Sequence, residues 1–177
     1  MKSVFLPVYL ILIDYISITN FKMTALFKKL NFKDHKQILV VNAPDSFGDE
    51  LAAMEESTRV IQSIEQEGEI EFTLGFVANQ VAIEDFIHSI QDKLVADPIV
   101  WIAYPKASSK KYKCTFNRDT GFGILGQYGF EGVRQVAIDE DWSALRFRKV
   151  HYIKNITRKE SFALTKEAKE RTSQKGN

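Results

Sequence analysis

The chain has 177 residues, 45% of them apolar and 27% charged, with a formal net charge of +1. A chain of that length buries about 70% of its unfolded surface, enough for one core without covalent staples. A single cysteine (Cys114) excludes an internal disulfide and a cysteine zinc cluster, three dispersed histidines (His35, His88, His151) lack metal-ligand spacing, and nine glycines with four prolines exclude a low-complexity chain.

In chain order, Val4 to Ile18 is the most apolar stretch, but Asp14 interrupts it and it falls short of the roughly 20 residues of a spanning helix. Residues 1–22 therefore read as a doubtful leader: an over-extended start upstream of Met23, an added strand, or an anchor or signal. Thr24 to Leu30 predicts a short helix, with Asn31 placed to cap it in the left-handed region. Gln37 to Val41 is a continuous apolar run, the pattern of a strand buried on both faces. It stops at Asn42-Ala43-Pro44, after which Asp45 or Ser46 caps a helix reaching about Ser57.

Thr58 to Ile64 predicts a short strand, and Glu69 to Val77 alternates with period two, a clear strand. Asn79 caps a helix whose stripe is Ile83, Phe86, Ile87, Ile90 and Leu94, stopped by Pro98. Ile99 to Tyr104 is a further buried strand, followed by a basic loop and a helix within Arg118–Tyr128 that ends at Gly129. Gly132 to Ile138 and Trp142 to Val150 are joined by Asp139-Glu140-Asp141 as an antiparallel hairpin. This order predicts an α/β fold: a three-layer, Rossmann-like, mostly parallel sheet over residues 23–150 with a C-terminal antiparallel hairpin. Residues 151–177 have no strong stripe and read as a basic helical or disordered tail.

Three pieces of this chain resemble a bacterial domain family of unassigned function: ILVVNAPDSF (Ile38–Phe47), IVWIAYPKAS (Ile99–Ser108) and GFEGVRQVAIDEDWSALRF (Gly129–Phe147). The resemblance runs from about Leu26 to Val150, with Asp139, Trp142, Ser143, Leu145 and Phe147 as its most specific motif. Tyr104 stands where that family usually has tryptophan, and residues 48–68 match weakly. What the resemblance implies is a degenerate methyltransferase-like core and no mechanism. The closing hairpin after βα units is also similar to the end of an S-adenosylmethionine methyltransferase fold, and fold alone does not give function.

Dinucleotide and methyl-donor sites need glycines after the first strand, where the backbone must turn tightly against the ligand. Here that loop is Asn42 to Gly48, with Pro44 removing a donor and Gly48 the only glycine. Glu65 or Glu67 stands after the second strand, where an acid could hold a ribose, but the whole stretch is acidic. Ser108 to Lys111 formally fits S-x-x-K without its partner motifs, and Cys114 has no histidine near it in sequence, so a structural thiol is expected. Asp139 to Asp141 reads as a solvated turn, and Trp101, Tyr104, Trp142 and Phe147 as core. No catalytic residue, metal site or cofactor is assigned.

The charge is distributed in blocks. Residues 43–97 carry net −11, residues 98–118 net +5 and residues 151–177 net +4. Ligands of open parallel sheets sit beyond the carboxyl ends of the strands. That edge receives Asn42, Pro44 and Ser46 from one loop and Lys106 and Lys110 from another, a set suited to a small anion at exposed helix N–H groups. The reading is thus a cytoplasmic binding domain for a small anionic ligand or a protein partner, a second copy included. Two alternatives stay open: a methyltransferase-like enzyme, and a nucleic-acid binder that interleaves Lys106, Lys110, Lys111, Lys113 and Arg118 with Tyr104, Tyr112 and Phe116. A membrane contact would need residues 1–22 as an anchor.

Overall fold

The computed structural model describes residues 23–66, 68–117 and 119–174; the leader at 1–22, Glu67, Arg118 and the last three residues lie outside the described residues. Six strands form one sheet: β1 (Gln37–Val41), β2 (Arg59–Ile61), β3 (Ile70–Phe76), β4 (Leu94–Pro105), β5 (Phe130–Ala137) and β6 (Trp142–Lys149). Their spatial order is β2-β1-β3-β4-β6-β5. The first four strands are parallel, and β6 joins β4 and β5 antiparallel. Among the described residues five α-helices accompany them: α1 (Ala25–Lys29), α2 (Gly48–Glu55), α3 (Gln80–Ile90), α4 (Gly123–Gln127) and α5 (Lys166–Ser173). The expected three-layer, mostly parallel sheet with a terminal hairpin is therefore the fold.

Side chains alternate across the sheet and make two cores. One joins Phe27 of α1, its C-cap Leu30, Phe47, and Leu51 and Met54 of α2 to Ile38, Val40, Phe72, Leu74, Trp101 and Trp142. The other joins Ile83, Phe86, Ile87 and Ile90 of α3 and Leu125 of α4 to Leu39, Val100, Ile102, Leu145 and Phe147. Trp101 ties α1 to the centre of the sheet, since its buried indole N–H donates to the Leu30 carbonyl at 2.7 Å.

Local chemistry sets the helix boundaries. Thr24 accepts the Phe27 N–H at 3.1 Å to open α1, and Asn31 follows it at φ 64°. Asn79 accepts the Ala82 N–H at 2.9 Å to open α3. That helix ends at Ile90 and not at Leu94, because a 3-10 turn over Gln91–Lys93 leads directly into β4. Leu94 pairs with Ile70, and the register shifts before Phe72 meets Ile99, so Pro98 sits in an irregularity of a long strand where no ladder donor is required. The helix expected over Arg118–Tyr128 shrinks to α4, whose two glycines weaken its propensity.

The segment after β6 does not trail away. Glu131 Oε1 accepts the Leu164 N–H, the Thr165 N–H and the Thr165 hydroxyl at 2.8, 2.6 and 2.9 Å. Thr165 in turn caps α5, and Val150, Ile156, Ala163 and Ala168 form a small third core. Of the expected alternatives for residues 151–177, a helical segment is what forms over Lys166–Ser173, and it is docked.

Candidate functional site

At the carboxyl edge, β1 turns at Asn42, which adopts φ 56°, a left-handed conformation that asparagine tolerates. Pro44 then precedes a 3-10 turn over Asp45–Phe47 that runs into α2. Asp45 and Ser46 face solvent, whereas Phe47 is 1% exposed and packs on Phe27 and Phe76 with ring centroids 6.1 and 5.0 Å away. Phe76 continues to Trp142, and Trp142 to Tyr112, so an aromatic chain fills the space beneath the turn. Beside α2 lies a shallow depression of about 380 Å³. Pro44 lines it together with Asp45, Glu55 and Gln62, so two carboxylates and no base face it.

Lys106 is engaged rather than free. Its Nζ donates to the Asp139 carbonyl at 2.5 Å, and its backbone N–H donates to the Asp141 carbonyl at 2.7 Å. Ser109 Oγ donates to Asp141 Oδ1 at 2.7 Å and accepts the Tyr112 N–H at 3.0 Å. Asp139 Oδ1 accepts the N–H groups of Asp141 and Trp142. The basic loop and the acidic turn thus staple each other, which gives Ser109, Asp139 and Asp141 a structural occupation. Among the described residues no group of histidine, cysteine, aspartate or glutamate side chains is placed to hold a metal. The five candidate residues accordingly divide: Asn42, Pro44 and Ser46 share one loop, Lys106 is tied to the hairpin turn, and Lys110 is exposed.

The aromatic residues of the basic loop point inward. Tyr104 and Phe116 stack on Phe122 at 5.6 and 5.3 Å, and Tyr112 on Trp142 at 4.9 Å. Cys114 is half-buried, and burial pushes its thiol above the ordinary range. Glu65 lies in the 3-10 turn over Ile64–Gln66, past the end of β2.

A second concentration of charge stands at the far end of the hairpin, toward the amino edge. Arg146 of β6 lies opposite Arg134 of β5, and Arg148 follows two residues on. Its charge does not stand out along the chain, because residues 119–150 sum to −1 once these arginines are averaged with the acidic turn. Its signal was the alternation of Arg146 and Arg148 around Phe147, which places both guanidiniums on one face of a strand.

Among solved structures, a SAM-dependent methyltransferase from Aquifex aeolicus is similar at 11% identity and a TM-score of 0.50, over 77% of this chain and 96% of that one. An N-methyltransferase from Bradyrhizobium japonicum matches at 14% identity and 0.43, over 70% and 92%. A protein of the NADB-Rossmann superfamily from Streptococcus agalactiae matches at 13% identity and 0.44, over 81% and 75%. No family model and no curated protein matches the chain. The fold is thus of the methyltransferase-like Rossmann class, a statement about architecture alone. Among the described residues no helix is long and apolar enough to cross a membrane.

Proposed function

We propose that this chain is a binding domain on a methyltransferase-like scaffold that takes a small anionic ligand and does not transfer methyl groups. Phe47 carries the reading. Where a nucleotide-type ligand needs an open, glycine-lined turn after the first strand, this chain buries a phenyl ring under the turn and adds Pro44 in front of it. At the same edge, Asp45 and Glu55 face the neighbouring depression, which suits neither a phosphate nor a carboxylate. For an anion to use Lys106 there, the ammonium must leave the Asp139 carbonyl; Ser46 and Lys110 are the freer contacts. The methyltransferase alternative draws on the fold only. The nucleic-acid alternative keeps the lysines but loses the aromatic faces, since Tyr104, Tyr112 and Phe116 stack on core rings.

Isothermal titration with S-adenosylmethionine is expected to give no saturable heat, while small phosphorylated anions raise the melting temperature beyond the effect of sodium chloride at equal ionic strength. Saturable S-adenosylmethionine binding, with methyl transfer to any acceptor, would overturn the reading in favour of an enzyme.

A further inference from the structure

Between the amino-edge half of the β5–β6 hairpin and residues 152–158 lies a cavity of about 450 Å³, within the range of small-molecule sites. Five cationic side chains line it: Arg134, Arg146, Arg148, Lys154 and Arg158. Its one acid, Glu131, already has three donors on a single carboxylate oxygen.

Two of the guanidiniums are oriented from outside the cavity and a third by its wall. Arg148 holds Asp97 through two nitrogens, at 2.9 and 2.5 Å. Arg134 reaches Asn31 Oδ1 at 3.3 Å, and Arg158 the Gly132 carbonyl at 3.4 Å. Arg146 differs: its Nε is buried and has no hydrogen-bond partner. Among the described residues, Arg134, Arg146, Lys154 and Arg158 form no ion pair.

Like charges directly opposite one another on neighbouring strands destabilise a sheet, and a buried donor without an acceptor does so as well. Arg146 shows both features at once. Burial and the neighbouring Arg148 and Arg134 hold its pKa below the ordinary arginine range, against the opposing pull of Asp97. Such an arrangement is relieved when an anion enters between the guanidiniums. A planar guanidinium offers paired N–H donors that match phosphate and carboxylate oxygens. A phosphomonoester, with close to two negative charges near neutral pH, answers the uncompensated charge here better than a carboxylate with one. The cavity exceeds a bare phosphate, and Tyr152 on its wall adds an aromatic face beside Arg148, 6.0 Å from the ring centroid.

We infer that this cavity is the binding site for a small phosphomonoester, with Arg146 as its central contact and Arg134, Arg148 and Arg158 around it. The assignment rests on the anionic-ligand reading above and gives that ligand a chemical class and a place.

Thermal melts of the full chain with inorganic phosphate, ribose 5-phosphate, AMP and adenosine test it, against sodium chloride at matched ionic strength. Wild type is expected to gain several degrees with ribose 5-phosphate and AMP, less with phosphate and nothing with adenosine. Arg146→Met removes the unpartnered guanidinium, so its ligand-free melting temperature equals or exceeds wild type while the ligand shift disappears. Arg158→Gln, at a side chain outside the two strands, weakens binding by about tenfold and keeps the fold. A shift that survives Arg146→Met but is lost in Lys106→Ala would overturn this site and leave the anionic-ligand reading standing. No shift with any anion overturns both. A response to single-stranded oligonucleotides with none to AMP also overturns the site.

Discussion

His35 packs against Phe32 and Phe72, with ring centroids 5.3 and 5.6 Å away, and burial lowers its pKa below the ordinary imidazole range despite nearby Glu71 and Asp34. Folding therefore favours the neutral imidazole. Its contribution is whole above about pH 6.5 and is lost as pH falls from there through the lower folded value. Urea midpoints should decline from pH 7.5 to 5, and His35→Gln should flatten that decline. An equal slope in the variant would assign the pH dependence to other groups. Phe47→Ala should cost about 3–5 kcal/mol, as for other large buried aromatics, read from the same urea melts, without creating affinity for S-adenosylmethionine. At this scale three caps were plain in the sequence, but the expected cap at Asp45 or Ser46 does not form: both lie inside the 3-10 turn, and Phe47 precedes α2 with no side-chain cap. Asn31, Asn79 and Gly129 each sit where their backbone preference puts them, because capping is decided within a few residues. The partners of Lys106 and Glu131 were not legible, because they lie 33 or 34 positions away along the chain.

Among the elements, strict alternation makes a strand legible, and the boundaries differ where a local pattern has two solutions. Leu94 continues the spacing of α3 but pairs with Ile70 in the sheet, and tertiary pairing prevails over helical period at that boundary. The tail has no broad amphipathic stripe because a carboxylate holds its start and only Ala168 of α5 enters the small third core. Two substitutions measure that docking. At Gly126 a Cβ would lie 2.4 Å from the Leu164 carbonyl oxygen, backbone that cannot step aside easily. Gly126→Ala should then cost about 1–3 kcal/mol, as overpacking does, and speed limited proteolysis beyond residue 150. Glu131→Ala should cost about 3 kcal/mol or more, since each buried donor left unpaired costs about 1–3 kcal/mol. Urea denaturation read by far-UV circular dichroism checks both. If Glu131→Ala melts like wild type, the three hydrogen bonds contribute nothing net.

For the whole molecule, the alternation of strands and helices was enough to expect a parallel sheet, because each βαβ unit has one favoured handedness. The strands expected at Thr58–Ile64 and Glu69–Val77 had no helix between them, but the order did not reveal that β3 crosses past β1, so that β1 is flanked by β2 and β3. Nor did it reveal which hairpin strand meets β4. Both tryptophans lie in one core layer, and Trp101 bonds across it to α1. Tryptophan fluorescence and far-UV circular dichroism should therefore report a single coincident unfolding transition. An earlier fluorescence midpoint would mean that the α1–α2 layer opens before the sheet does.

The position of β6 between β4 and β5 has a consequence for synthesis. The last strand to be made is an interior one, so no nascent chain shorter than about residue 149 can close the sheet. Translation at about 5–20 residues per second leaves β4 waiting some seconds for its neighbour. During that interval its apolar run Ile99–Tyr104 carries an open row of ladder groups, the kind of edge other chains can pair with. A released chain truncated between Pro105 and Trp142 would thus present the most aggregation-prone form of this protein, and chaperones that capture extended apolar segments should crosslink to it and not to the folded full chain.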